Sequence, residues 1–322
     1  MIEKSSKKKF IIVSAESAGL RLDNFLSEKI PDRSRSHIQK LIESSFIMVN
    51  DKSVSKSHRL SCNDIIEFMD KDTLEFSGII KPQEMALKIL YQDEYYLIIS
   101  KDAGISVHPS PGNYENTLVN ALLFYFKNHD KNFRDNMDNM RPGIIHRLDK
   151  DTSGLIIVAK DSTSQYKMSE LFKNRRVEKT YLALVAGIFD EKNGKISLPV
   201  GRSRIDRKKM AVSIDSGRCA VTDFEVRESF KECTLLNVYP KTGRTHQIRV
   251  HLSYINRPII GDPRYGNSDS TKLANVLGLN RQFLHAQKLA FYHPYTNKKI
   301  EIEDEPAEDL KKCLEILRQH KI

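Results

Sequence analysis

The chain has 322 residues, of which 52 are lysine or arginine and 42 are aspartate or glutamate, so its formal net charge is +10 at pH 7. This length suffices for one large domain or for two domains, and the basic excess favours a polyanionic partner, either nucleic acid or an anionic membrane. No apolar run is long enough to cross a bilayer, and the lysine-rich start MIEKSSKKKF lacks the apolar stretch of a signal peptide. These features exclude a membrane-spanning chain and predict a soluble, cytoplasmic protein.

The sequence also lacks the usual signatures of cofactor sites. Its 4 cysteines are scattered without metal-ligand spacing, and His246 and His251 have no H-E-x-x-H context. Neither a P-loop nor a G-x-G-x-x-G fingerprint occurs. We therefore expect no metal, no nucleotide and no dinucleotide cofactor.

The amino-terminal part predicts a small domain. Residues 1–18 read as a basic tail with a first strand, and residues 19–70 as two helices followed by short strands. The first helix has apolar residues at helical spacing and ends at Pro31, and the second begins near Ser34. Basic residues that could contact phosphates flank its apolar positions: Arg33, Arg35 and Lys40. The alternative is that these residues form a solvated basic face.

Residues 71–87 contain Gly78 and Pro82 and are predicted to be a linker into a larger domain, residues 88–322. There, short apolar strands alternate irregularly with a few helices, which predicts a mixed α+β domain. The polar stretch from Asn128 to Asn139 is predicted to be a surface loop, Thr245 to cap a helix of about ten residues, and Asp304 to Gln319 to form the last helix.

The stretch GIIHRLDKDTSGLIIVAK, from Gly143 to Lys160, places two acids in a turn just before a buried strand. Asp149 is the strongest catalytic candidate, although aspartates in such a turn can serve the turn alone. The spacing of Asp149, Asp151 and Gly154 also matches the start of a calcium-binding loop. We reject that alternative because the twelfth position, which needs a glutamate, is Lys160.

HRLDKDTSGLIIVAK resembles the catalytic motif of the RluA-type pseudouridine synthases. Three further stretches agree with that family in the same order: KDAGISVHPSPGN, EKTYLALVAG and KTGRTHQIRVHLSYINRPIIGDPRYG. The likeness is greatest to the RluD-like members, which modify large-subunit ribosomal RNA. It implies that the chain isomerises uridine in RNA to pseudouridine without a cofactor, on a long, mostly antiparallel central sheet crossed by a cleft. The block from Arg21 to Val54 resembles the S-four-type RNA-binding domain.

The resemblance also implies roles for individual residues. Asp149 corresponds to the catalytic aspartate, Arg249 to the arginine paired with it, and Tyr181 to a tyrosine expected to stack on the uracil. Arg147 is placed to fill the gap left by a flipped-out base, with His146 beside it. Further RNA contacts are expected from Lys241, Arg244 and His246. Whether the carboxylate attacks the ribose, adds to the uracil or deprotonates the sugar stays open.

The sequence leaves three alternative functions to consider. A transfer RNA substrate keeps the same chemistry, and a catalytically silent RNA-binding assembly factor keeps the same fold. A membrane-surface protein is disfavoured because the sequence lacks an amphipathic basic helix with a large apolar face. We expect a monomer, and the sequence does not predict which uridines are modified.

Overall fold

The computed structural model describes residues 8–30, 35–43, 45, 47–69, 80–109, 115–129, 143–206 and 209–320. The chain divides into two compact units, Met1–Ile79 and Ile80–Ile322. Most of the predicted linker, residues 71–79, lies outside the described residues, and Asn120 in the larger unit donates a hydrogen bond to the Lys81 carbonyl. No helix among the described residues is long and apolar enough to span a membrane.

The smaller unit packs two helices on a three-stranded antiparallel sheet. Its helices are α1 (Leu22–Lys29) and α2 (Arg35–Glu43), and its strands are β1 (Lys8–Ile12), β2 (Ile47–Val49) and β3 (Ile65–Met69), in the order β1-β3-β2. The apolar residues at helical spacing in α1, among them Leu22, Phe25 and Leu26, are buried in the core.

The larger unit is built on a nine-stranded sheet in the order β4-β5-β6-β13-β7-β12-β11-β8, with β14 paired to β13. Every pair in it is antiparallel except β13 with β6, so the predicted mixed, mostly antiparallel α+β fold is confirmed. The strands of the larger unit are β4 (Lys88–Gln92), β5 (Tyr96–Lys101), β6 (Ser153–Ala159), β7 (Glu178–Ala186), β8 (Asn193–Ser197), β9 (Val200–Arg202), β10 (Met210–Val212), β11 (Val221–Ser229), β12 (Cys233–Pro240), β13 (Leu284–Tyr292) and β14 (Lys299–Glu303). Its helices are α3 (Leu118–His129), α4 (Ser162–Lys173), α5 (Gln247–Tyr254), α6 (Ser268–Val276) and α7 (Glu308–His320).

Strand β6 explains why its sequence is continuously apolar. Ile156 and Val158 face one core cluster, while Leu155 and Ile157 face the cluster on the opposite side of the sheet. A strand covered on both faces needs no polar alternation. The loop that carries Asp149 therefore leads into the buried middle of the sheet.

Two predicted helix boundaries were wrong. Helix α5 has eight residues and is preceded by His246 in the left-handed conformation, with φ of 54°, so Thr245 is not its cap. The last helix begins at Glu308, because Asp304 continues the sheet by donating its backbone N–H to the Gln287 carbonyl at 2.8 Å. In the predicted loop from Asn128 to Asn139, residues 128–129 belong to α3, and residues 130–139 lie outside the described part of the chain.

Candidate active site

The loop before β6 is held by hydrogen bonds from separate parts of the chain. Lys101, at the end of β5, donates from Nζ to the carbonyls of Asp102 at 2.7 Å, Ile105 at 3.0 Å and Lys150 at 3.1 Å. Arg281 donates from Nη1 to the Asp151 carbonyl at 3.1 Å. These bonds fix the backbone directly after Asp149, so the Asp149 side chain projects from a backbone that is held in place.

Gly154 allows the loop to enter the sheet. Its φ is +110°, and a Cβ atom there would lie 2.3 Å from the backbone oxygen of Ala286 and 2.6 Å from its nitrogen. Residues other than glycine would clash at this distance and be strained at this φ. The close approach sets the start of β6 directly beside β13.

A buried arginine joins two aspartates at the site. Arg249 donates from Nη1 to Asp149 Oδ2 at 2.8 Å, from Nε to Asp262 Oδ2 at 2.7 Å and from Nη2 to Asp262 Oδ1 at 2.8 Å. The side chains of Arg249 and Asp262 are 6% and 0% exposed, whereas that of Asp149 is 19% exposed. The bidentate bond with Asp262 thus fixes the guanidinium, which then holds one oxygen of the more accessible Asp149.

Arg249 and Asp262 stabilise each other in their charged forms. Burial alone would lower the pKa of Arg249, but its hydrogen bonds and charge interaction with Asp262, followed by those with Asp149, raise it. Burial would likewise raise the pKa of Asp262, and Arg249 together with the backbone N–H groups of Arg264 and Tyr265 lowers it. Arg249 and Asp262 are therefore an ion pair in the folded protein.

His246 and Tyr181 both lie close enough to Asp149 to interact with its charge. His246 places Nε2 at 3.8 Å from Asp149 Oδ1, and burial lowers the pKa of this histidine. Tyr181 projects from β7, and its pKa is raised, first by burial and then by the charge of Asp149. The phenol of Tyr181 therefore keeps its proton at neutral pH.

The predicted residues of the larger unit line one cleft of about 470 Å³. The cleft brings together residues that are far apart in the sequence: His146, Arg147, Asp149, Tyr181, Lys241, Arg244, His246 and Arg249. Arg147 is exposed at its edge. Lys241 Nζ lies 3.6 Å from Asp223 Oδ2, and Arg244 donates from Nε to the Cys219 carbonyl at 3.1 Å.

One hydrogen bond and one ring contact hold the His146 side chain in place. The backbone N–H of Ile157 donates to His146 Nε2 at 2.9 Å, and the ring stacks on Phe172 at 4.7 Å between centroids. Burial, followed by the charge of Lys179, lowers the pKa of His146 to about 3. The ring is therefore neutral with its proton on Nδ1, and its contact with RNA stays a prediction.

The predicted contacts of the smaller unit are only partly described. Arg33 lies outside the described residues, as does the side chain of Lys40. Arg35 donates to the buried carboxylate of Asp23 at 2.9 Å, which ties α2 to α1. Arg35 is half exposed, so this structural contact leaves its RNA contact as a prediction.

Several residues of the site were missed by the sequence reasoning. Asp262, Tyr265, Lys101 and Lys179 all line or support the cleft. Burial, followed by the charge of Lys241, lowers the pKa of Lys179 to about 8. Each of the four lies in one of the stretches on which the family resemblance rests, and Lys179 stands two residues from Tyr181 on one strand, which places both side chains on the same face.

One further arrangement resembles a catalytic site but is buried away from substrate. Ser153 Oγ lies 3.0 Å from His285 Nδ1, and His285 Nε2 lies 3.7 Å from Asp304 Oδ2, which resembles a hydrolase triad. All three residues are at most 4% exposed, so no substrate reaches them, and they support the fold. Among the described residues, no group of three or more histidines, cysteines or acids is arranged to hold a metal ion.

Comparison with known proteins identifies the family of this chain. The family model described as RNA pseudouridylate synthase matches residues 95–254, and the S4 domain model matches residues 20–66. The uncharacterized RNA pseudouridine synthase YlyB of Bacillus subtilis is 36% identical over 96% of this chain and 98% of its own length. The ribosomal large subunit pseudouridine synthase D of Xanthomonas campestris is 38% identical over 96% of this chain and 92% of its own.

A solved structure shows the same likeness. Human RNA Pseudouridylate Synthase Domain Containing 4 has a TM-score of 0.58 and 26% sequence identity, covering 72% of this chain and 93% of its own. The predicted family and the predicted amino-terminal S4-type domain are therefore confirmed. The chain belongs to the RNA pseudouridine synthase family and is an enzyme that converts uridine in RNA to pseudouridine.

Proposed function

We propose that this enzyme modifies large-subunit ribosomal RNA, with Asp149 as its catalytic carboxylate, and that it acts as a cytoplasmic monomer. The substrate proposal is supported by relatives named ribosomal large subunit pseudouridine synthase D, which are 38% and 36% identical to this chain. The S4 domain match and the net charge of +10 are consistent with a large polyanionic substrate.

The contact between Arg249 and Asp149 is the observation that carries the catalytic assignment. Arg249 is already neutralised by Asp262, so it orients Asp149 through one oxygen while Oδ1 faces His246 across 3.8 Å. A carboxylate oriented in this way suits attack on the ribose, addition to the uracil ring or removal of a ribose proton. All three routes need the same ionised oxygen.

The reaction itself explains why no cofactor is required. The bond between ribose C1′ and uracil N1 breaks, the base turns, and a bond forms between C1′ and C5. The proton on C5 is lost while N1 gains one, so the product has the same atoms and oxidation level as the substrate. The work of the protein is therefore positioning, charge stabilisation and proton transfer.

The remaining cleft residues suit binding of an extruded nucleotide. Arg147 lies exposed two residues before Asp149, where a guanidinium could stack in the gap that the uridine leaves. Tyr181, which keeps its phenol proton, suits stacking on the uracil. Lys179, Lys241 and Arg244 add positive charge to the same cleft, where phosphates flanking the target would lie.

The test maps pseudouridine in ribosomal and transfer RNA from cells that lack this protein. The cells are complemented with wild type, with Asp149→Asn, or with Asp151→Asn as a matched control in the same loop. Specific large-subunit uridines should lose the modification and regain it with wild type and Asp151→Asn only. Purified Asp149→Asn should still bind the RNA within about threefold of wild type, because only a catalytic charge is removed.

Two outcomes would contradict the proposal in different ways. Modification restored by Asp149→Asn would rule out the carboxylate as catalytic. A response confined to a transfer RNA position would leave the catalytic assignment intact and replace the substrate.

A further inference from the structure

Tyr265 lies between the cleft and the hairpin formed by β9 and β10, whose connecting loop carries the exposed Arg204 and Lys209. The backbone N–H of Met210, at the start of β10, donates to Tyr265 Oη at 2.9 Å. The same oxygen lies 2.8 Å from His246 Nδ1, and His246 Nε2 lies 3.8 Å from Asp149 Oδ1. One phenol oxygen thus contacts both the hairpin and the histidine beside Asp149.

The positions of the protons follow from these contacts. Burial raises the pKa of Tyr265 and lowers that of His246, so at neutral pH the phenol is protonated and the imidazole is neutral. A backbone N–H can only donate, so Tyr265 Oη accepts from Met210 and has its own proton left for His246 Nδ1. The proton of the neutral imidazole is then on Nε2, the nitrogen that faces Asp149.

We propose that Tyr265 is a positioning residue that acts through His246, holding its Nε2–H beside Asp149 to donate to a carbonyl oxygen of the target uracil. This inference rests on the proposed catalytic role of Asp149. The distance of 3.8 Å to Asp149 is too long for a hydrogen bond, so Nε2–H is not committed to that carboxylate. Uracil carbonyls only accept hydrogen bonds, and a fixed donor would retain the base while it turns between bond cleavage and bond formation.

The rival explanation is that Tyr265 only packs. Its ring lies 5.0 Å from the guanidinium carbon of Arg249, meets His246 edge-on at 5.6 Å and packs in a cluster with Val250 and Met210. Tyr265→Phe keeps every one of these contacts and removes only the oxygen. The substitution therefore separates positioning from packing.

The test is a double-mutant cycle of Tyr265→Phe and His246→Ala, with single-turnover rates measured over hours. The substrate is RNA from cells lacking the protein, read at any uridine that wild type modifies, so an error in the proposed substrate class leaves this test intact. Tyr265→Phe should lower the rate about threefold to tenfold, the effect of one hydrogen bond. It should leave RNA affinity within about twofold and cause no further loss in the His246→Ala background.

Tyr125→Phe is the matched control, because it also removes a phenol hydroxyl, one that donates to Gln92 at 2.8 Å outside the cleft, and it should keep the wild-type rate. Nitrogen NMR of His246 provides a second readout, with the Nε2–H form in wild type and a mixture of both neutral forms in Tyr265→Phe. Equal rate losses in both backgrounds, an unchanged rate in Tyr265→Phe, or an unchanged tautomer would overturn the proposal. Full activity of Asp149→Asn would instead refute the proposed role of Asp149.

Discussion

Asp262→Asn should destabilise the larger unit and disable the site, although Asp262 lies behind Arg249 and outside the cleft lining. Asn keeps the size of the side chain and removes its charge, which leaves Arg249, 6% exposed, with Asp149 as its remaining ion-pair partner. Removing one partner of a buried ion pair costs about 3 kcal/mol or more. For a unit of this size that corresponds to a fall of roughly 6–12 °C in melting temperature.

Two matched variants isolate this effect. Glu228→Gln breaks a similar arginine fork with Arg318 on the surface, at side-chain exposures of 33% and 51%, and should cost at most about 1 kcal/mol. Asp149→Asn removes the other carboxylate but leaves the bidentate Asp262 bond, so it should also stay within about 1 kcal/mol of wild type. Asp262→Asn should in addition lower the single-turnover rate about a hundredfold, since Arg249 no longer holds Asp149 in one orientation.

The assay is urea unfolding followed by circular dichroism, because the chain has no tryptophan. The folded state lowers the pKa of Asp262, so its carboxylate stabilises the protein above the unfolded pKa, and this contribution is lost as the pH falls. The stability difference between wild type and Asp262→Asn should therefore shrink below about pH 4. Equal losses in Asp262→Asn and Glu228→Gln would refute the reasoning.

Two further predictions concern the base of the loop that carries Asp149. Gly154→Ala should prevent accumulation of folded protein, because its Cβ would lie 2.3 Å from the Ala286 oxygen. Gly243→Ala is the control and should melt near the wild-type temperature, because a Cβ at that position has no atom within 4 Å. Equal melting curves for the two variants would contradict this prediction. Lys101→Met should lower the single-turnover rate more than RNA affinity, since three backbone carbonyls lose their donor. Burial lowers the pKa of Lys101 from 10.5 to about 8, so the folded protein releases this proton before the unfolded chain does. The stability of wild type relative to Lys101→Met should therefore rise between these pH values. If the difference in free energy of unfolding between the two proteins, measured in urea, stays constant over this pH range, the lowered pKa of Lys101 is contradicted.

Local patterns were enough to predict much of the chain. The apolar run of β6 and the helical spacing in α1 follow from side-chain periodicity, which a stretch of a few residues already contains. The turn residues before β6 likewise place Asp149 at the entrance of a buried strand. The four motifs identified the family and most of the cleft residues because members of a family share the chemistry of the site.

The partners of those residues were decided by the tertiary structure. Asp149 and Arg249 are 100 positions apart and meet only because β6, β13, β7 and β12 are neighbours in the sheet and α5 follows β12. The charge pairing with Asp262 and the contact between Tyr265 and His246 depend on the same packing. No local pattern specifies such contacts, because the order of strands in a sheet depends on burying apolar surface across the whole unit. The sequence alone therefore indicated the candidate residues for the chemistry, while the fold determined which residues hold them in place.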